Sequence, residues 1–221
     1  MRLFVTGARG FLGRAIVCAG KDAGHTMIAA SRDGGTVDGA AQTLATGDLG
    51  ENAAQLDLTG IDAVINCAAR VHVLKREDPA HAKSEYDRLN TQMPLALARN
   101  ARSSGVRRFV QISSVAAIAS TSGDTDGDVL DDTSEPTPST YYGKSKLAAD
   151  LAIADIASGD FTVTSLRPPA IYGPDVGAWF AMLARSARAG IPLPVGAIRN
   201  RRSFAYVGNV AQAAILAAKF D

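Results

Sequence analysis

The 221-residue sequence predicts an α/β fold, a doubly wound parallel sheet with helices on both faces and a small C-terminal lobe. Three observations predict it. Short apolar runs of strand length alternate with longer segments of helical period. A glycine-rich turn, Gly7-Ala8-Arg9-Gly10-Phe11-Leu12-Gly13, joins the first apolar run to the first helical segment. Hydrophobic residues make up 47% of the chain, enough to cover both faces of a sheet.

The elements follow in order. Residues 2–6 read as a strand and 11–23 as a helix, then 26–30 and 41–46 as strands, with a short helix near 51–56. Residues 63–67 form the fourth strand. Residues 84–104 are mostly helical, with Pro94 starting a new segment or kinking the helix because it lacks an N–H. Residues 108–112 are the fifth strand, 141–157 a helix and 161–166 the sixth strand. Right-handed crossovers and a reversal of strand order place a ligand crevice at the carboxyl ends of the strands. Pro168-Pro169 then breaks the pattern. A helix over 178–189, a Pro/Gly-rich loop over 191–198, a short strand over 204–207 and a helix over 209–219 follow. The chain therefore divides into a unit over 1–170 and a partial lobe over 171–221 whose elements return to that unit. There is no internal repeat.

Bulk properties exclude several classes. The net charge is +1, with 23 basic and 22 acidic residues, so neither nucleic acid nor an acidic membrane is an expected partner. A strand begins at once, with no leader ahead of it, and no apolar run approaches the roughly 18 residues of a membrane span. A cytoplasmic setting is expected, with Cys18 and Cys67 as reduced thiols. The three histidines lack metal-ligand spacing, and no metal is expected. The acidic stretch 123–135 places Asp124, Asp126, Asp128 and Glu135 at calcium-loop spacing. Val129 and Asp131 break that pattern, so it reads as a solvated loop.

The glycine turn carries the first chemistry. Gly7 permits the tight turn, Gly10 lets backbone approach a pyrophosphate, and Gly13 lets the helix pack on the sheet. The amides of the helix N-terminus then face the anion. The second strand ends in Ser31-Arg32 rather than in an acid. A guanidinium there suits the 2′-phosphate of NADP, and Arg9 can reach the same group. NADP is the expected cofactor, with NAD as the alternative.

Tyr142 and Lys146 stand four apart and share a helix face. An ammonium favours a phenolate; moving a tyrosine from about 10 to about 7 takes ~4 kcal/mol, within reach of one ammonium at about 4 Å. Ser113-Ser114 closes the fifth strand at the edge where chemistry is expected. Ser114 there can hydrogen-bond a substrate oxygen, and no histidine is placed to make it a nucleophile.

These residues resemble the extended short-chain dehydrogenase/reductase family, with its nucleotide-sugar epimerases and dehydratases on a Rossmann fold. The resemblance rests on Thr6-Gly7-x-x-Gly10-Phe11-Leu12-Gly13, Gly47-Asp48-Leu49, Asn66-Cys67-Ala68-Ala69, Asn90, Ser113-Ser114, Tyr142-x-x-x-Lys146, Leu166-Arg167-Pro168 and Ile171-Tyr172-Gly173-Pro174. It implies that Phe11, Leu12, Ser31, Asp48, Leu49, Ala68, Ala69, Asn90, Pro168 and Ile171 serve the cofactor. Tyr142 would be the acid/base, Lys146 would bind the nicotinamide ribose and Ser114 would polarise the substrate. Arg202 would meet sugar-nucleotide phosphates.

The resemblance further implies hydride transfer at C4 of a UDP-sugar, as a 4-epimerase or 4-keto-reductase, and a homodimer built on the helices near 84–104 and 141–157. Reduction of a non-sugar carbonyl and a non-catalytic dinucleotide sensor are the alternatives. Sugar dehydratases carry an acidic pair where Val115-Ala116 stand, so dehydration is not expected. Ala170 replaces a frequent asparagine. Relatives usually run well past residue 221, so the substrate lobe is expected to be truncated or unusually small.

Overall fold

A computed structural model describes residues 1–71, 78–119, 129–131, 133–190 and 202–219. The calcium-like spacing at 124–128 and the loop 191–198 lie outside the described residues. Six strands form one parallel sheet: β1 (Arg2–Thr6), β2 (Thr26–Ser31), β3 (Gln42–Ala45), β4 (Ala63–Asn66), β5 (Arg108–Ile112) and β6 (Thr162–Leu166). Their order is β3-β2-β1-β4-β5-β6. The chain winds outward from β1 to β3, then crosses back and winds the other way from β4. The strand order therefore reverses between β1 and β4, and sheets of this kind take ligands at the carboxyl ends of the strands at such a reversal.

Period-two alternation sends neighbouring residues of each central strand into different cores. Leu3, Val5, Met27, Ala29, Ile65 and Val110 pack on one face, against Ile16 and Val17 of α1 (Phe11–Asp22). Phe4, Ile28, Val64 and Phe109 pack on the other face. They meet Leu97 of α4 (Met93–Ser103) and Ile153 of α5 (Tyr141–Ala154). Each large apolar side chain buried this way contributes roughly 1.5–3 kcal/mol. Between β3 and α4 the chain forms α2 (Leu49–Asn52) and α3 (Pro79–Tyr86).

The run from α3 to α4 is continuous but contains a π-helical turn, Asp87–Gln92. Pro94 falls in the first turn of α4, where its missing N–H is tolerated. It starts a new segment, one of the two outcomes the sequence allowed.

The C-terminal part holds β7 (Ala170–Tyr172), α6 (Ala178–Arg188), β8 (Phe204–Tyr206) and α7 (Val207–Ala217). β7 pairs in parallel with β8 in a separate two-stranded sheet. The sequence reading missed β7, a three-residue strand between Pro169 and Gly173 that is defined only by a partner far along the chain. Ala211, Ala214 and Ile215 of α7 join the core beside α1, so the chain returns to the main sheet.

Candidate active site

The glycine turn sits at the β1/β4 reversal. Gly7 has φ +62°, and a Cβ there would lie 2.9 Å from Ala68 N. A Cβ on Gly13 would lie 2.2 Å from Gly7 O, so any side chain at Gly13 would lift α1 off the turn. A Cβ on Gly10 would meet only Gly7 O within 4 Å, which leaves that side of the turn open. α1 has no side-chain cap and no acidic residue in its first turn, so its leading amides point outward without a competing anion. Phe11 and Leu12 begin α1, and Leu12 packs into the core.

The adenosine end is more crowded than the sequence suggested. Arg9 Nη1 donates to both carboxylate oxygens of Asp33 at 2.7 Å. Asp33 also accepts from Gly35 N at 3.1 Å, and the Arg9 bond is the largest influence lowering its carboxyl to about 2. Sequence reading missed Asp33 because it lies two residues past the strand end. Ser31 is buried and Arg32 is exposed. Asp48 caps α2, with Oδ1 accepting from Gly50 N at 2.8 Å and Oδ2 from Arg88 Nη1 at 3.1 Å. The Gly50 bond is the largest of the influences that lower its carboxyl. Leu49 packs against the core from the first turn of α2.

A buried polar chain crosses the carboxyl ends of the central strands. Thr6 Oγ1 donates to Asn66 Oδ1 and accepts from Ala68 N at 3.2 Å. Asn66 Nδ2 donates to Gln111 Oε1 at 2.8 Å, and Gln111 Nε2 donates to Ile112 O at 3.4 Å. Lys146 Nζ donates to the same Ile112 oxygen at 2.9 Å. Asn90 clips the next loop in place: Oδ1 accepts from Arg70 N at 2.7 Å and Nδ2 donates to Arg70 O at 2.9 Å. The Asn90 amide also donates to Ser145 Oγ at 3.2 Å. Ala69 is half-buried between these anchors.

Tyr142, Lys146 and Ser114 come together. Thr140 caps α5 and orients its first turn, accepting from Gly143 N at 3.0 Å. Gly143 lets the helix approach the turn after β5: a Cβ there would lie 2.3 Å from Ala116 O. Ser114 Oγ accepts from Ala116 N at 3.2 Å, and the Ser114 side chain is a hydrogen-bond partner of the Tyr142 phenol. Lys146 Nζ lies 6.0 Å from the Tyr142 ring centroid. The Tyr86 ring meets Tyr142 edge-on at 6.2 Å.

The electrostatics correct one expectation. Burial is the largest influence on Tyr142 and pushes its phenol up; Tyr86 adds to the effect and the Ser114 bond opposes it. Sequence spacing revealed the ammonium but not this burial. Burial likewise lowers Lys146 to about 8, against its ordinary 10.5. Cys67, at the end of β4, is pushed up to about 12 by burial.

Three predicted residues lie farther along. Val115 N donates to Pro168 O at 3.1 Å, tying the segment before β7 to the Ser114 turn. Ile171 is half-buried in β7. Arg202 is exposed two residues before β8. Among the described residues no three metal-ligating side chains cluster, and no helix is long and apolar enough to cross a membrane.

Known proteins are similar to this chain. A UDP-glucose 4-epimerase from Vibrio cholerae is 35% identical over 158 residues, 71% of this chain and 47% of that enzyme. A 3-diazoavenalumate denitrifying reductase from a Streptomyces species is 29% identical over 229 residues, 100% of this chain and 73% of that protein. The structure of MoeE5 in complex with UDP-glucose and NAD superposes with a TM-score of 0.81 at 29% identity. It covers 99% of this chain and 72% of MoeE5. The chain thus spans only part of its relatives, about half of the V. cholerae epimerase. A model of the NAD dependent epimerase/dehydratase family matches residues 3–221, and the chain belongs to that family.

Proposed function

We propose that the chain uses NAD(P) to transfer hydride at C4 of a nucleotide-linked sugar, with UDP as the nucleotide, as a 4-epimerase or 4-keto-reductase. One observation carries this reading: Ser114, Tyr142 and the buried Lys146 meet, with Lys146 Nζ 6.0 Å from the Tyr142 ring centroid, at the sheet edge that also holds the glycine turn. The open side of Gly10 and the uncapped start of α1 fit a pyrophosphate.

When bound, the nicotinamide accepts or returns hydride. The chain's own residues do the rest. Gly7, Gly10 and Gly13 would admit the phosphates. Asp48 and Leu49 would flank the adenine, and Ala68 and Ala69 would line the path beyond it, on a loop held by Asn90. Pro168 and Ile171 would wall the nicotinamide end, and Lys146 would hold the ribose. Tyr142 takes or gives the C4 hydroxyl proton at its phenol oxygen, and Ser114 holds the substrate oxygen by hydrogen bonding. Arg202 meets the substrate phosphates from the lobe that begins at residue 171. A sugar ketone that turned over before hydride returned would give the epimer; a keto-sugar bound with reduced cofactor taken up from solution would be reduced to the hydroxyl, and oxidised cofactor would leave.

The cofactor choice turns on Asp33. Arg9 and Arg32 support NADP, as read from the sequence. The carboxylate seated on Arg9 favours NAD instead, because it repels a 2′-phosphate and can accept from a ribose hydroxyl. The NAD bound in MoeE5 supports the same choice. A homodimer through α4 and α5, where Leu151 is exposed, fits this reading, as does a cytoplasmic setting for two free thiols.

A second reading is reduction of a non-sugar carbonyl, favoured by the reductase that matches the whole chain. Incubation with NADH or NADPH and a panel of UDP-sugars and UDP-4-keto-sugars, followed by product NMR, separates the two. Turnover confined to non-sugar ketones would overturn the sugar assignment, and cofactor binding with no turnover on any carbonyl would leave a sensor.

A further inference from the structure

α5 carries three ionisable side chains at successive turns of one face, Tyr142, Lys146 and Asp150. The proposed chemistry uses the first two. Asp150 is buried as deeply as Lys146, at 3% and 2% exposure. Its Oδ2 accepts from Ser113 Oγ at 2.8 Å and from Arg167 Nε at 2.9 Å. Its Oδ1 is buried with no hydrogen-bond partner among the described residues. A carboxylate oxygen left this way is costly, so a side chain needed only to bridge Ser113 and Arg167 would be poorly served by a full negative charge.

Lys146 has the complementary need. Its buried ammonium donates to a neutral carbonyl, Ile112 O, and makes no direct ion pair among the described residues. The groups acting on it come from its own helix and from the end of β4. Tyr142 and the Cys67 thiol are both pushed up by burial and are neutral at pH 7. Asp150, ion-paired with Arg167, is the largest influence holding the proton on Lys146. Arg167, on the far side of Asp150, offsets part of that negative charge.

We propose that Asp150 is a positioning residue that supplies the through-space counter-charge of the Lys146 ammonium, with Ser113 and Arg167 anchoring it. The role rests on reading Lys146 as the group that holds the ribose and faces the phenol. Asp150 keeps that amine a donor at neutral pH, and Arg167 sets how strongly.

The test is a ¹³C-lysine NMR titration of the full chain without added cofactor, with Lys146 assigned by Lys146→Arg. In Asp150→Asn, which can still accept from Ser113 and Arg167, the Lys146 midpoint falls by roughly one to two pH units. Asp150→Glu restores most of that shift. In Arg167→Met the midpoint moves upward, because Asp150 then acts unopposed. An unchanged midpoint in folded Asp150→Asn overturns the proposal, as does a downward shift in both variants, which marks a structural pair. If Asp150→Asn does not fold, Arg167→Met decides alone: a midpoint that stays or falls overturns it. The readout is the ionisation of Lys146 itself, so failure here leaves the proposed reaction standing. Failure of the substrate panel leaves the titration equally informative.

Discussion

Gly143→Ala tests whether the approach of α5 to the Ser114 turn matters to the chemistry. The added methyl would sit 2.3 Å from Ala116 O and 3.0 Å from Pro138 Cβ. The first neighbour is backbone and cannot swing aside. Reaching an ordinary contact of 3.4 Å requires a movement of about 1 Å between the helix and the turn. That movement pulls the Tyr142 phenol away from Ser114, whose own oxygen is fixed by Ala116 N. Overpacking costs about 1–3 kcal/mol, and alanine returns about 1 kcal/mol of helix propensity, so the net loss of stability is only about 0–2 kcal/mol. A misplacement of about 1 Å at reacting groups costs on the order of 100-fold in rate. Urea unfolding and turnover on the same preparation therefore diverge: near-normal stability, with turnover down about 100-fold and dinucleotide affinity retained. Wild-type turnover in a folded Gly143→Ala protein would refute the reasoning.

Two further outcomes follow from the ion pairs and burial. Asp33→Asn removes the carboxylate from Arg9, so NADPH affinity rises about tenfold relative to NADH by calorimetry; an unchanged ratio would remove Asp33 from cofactor selection. Lys146, held by burial at about 8 when folded, ordinarily titrates near 10.5, so between those values the unfolded chain binds more protons than the folded one. The wild type therefore gains stability with rising pH across that window, while below it the full penalty, about 3 kcal/mol, is present. Between pH 7.5 and 9.5 the wild type should gain about 2 kcal/mol relative to Lys146→Met in denaturant unfolding; parallel pH profiles would contradict it.

What was legible in the sequence was whatever depends on near neighbours. Gly7 and Gly13 announce the phosphate turn because a positive φ and a close helix approach are local demands that exclude a Cβ. Tyr142 and Lys146 share a face by helical period alone. A parallel sheet with a reversal in strand order followed from strand–helix alternation once crossovers are right-handed, though the order itself came only from the structure. Features set by distant partners stayed hidden. Asp33 matters because Arg9 folds onto it, β7 exists because β8 pairs with it, and Gly143 is required by Ala116 O. The upward push on Tyr142 was missed for the same reason, since spacing locates a charge but not the depth of the pocket around it. Asp150 reads as one more helix acid until Ser113 and Arg167 are seen to close on it.

The central claim is that the Tyr142 phenol moves the proton while hydride moves beside it. Tyr142→Phe tests it most directly, by dinucleotide affinity together with turnover on the best UDP-sugar or keto-sugar. Affinity should hold within about threefold while turnover falls about 100- to 10,000-fold, the usual worth of a positioned acid or base. Near-normal turnover in Tyr142→Phe would contradict it.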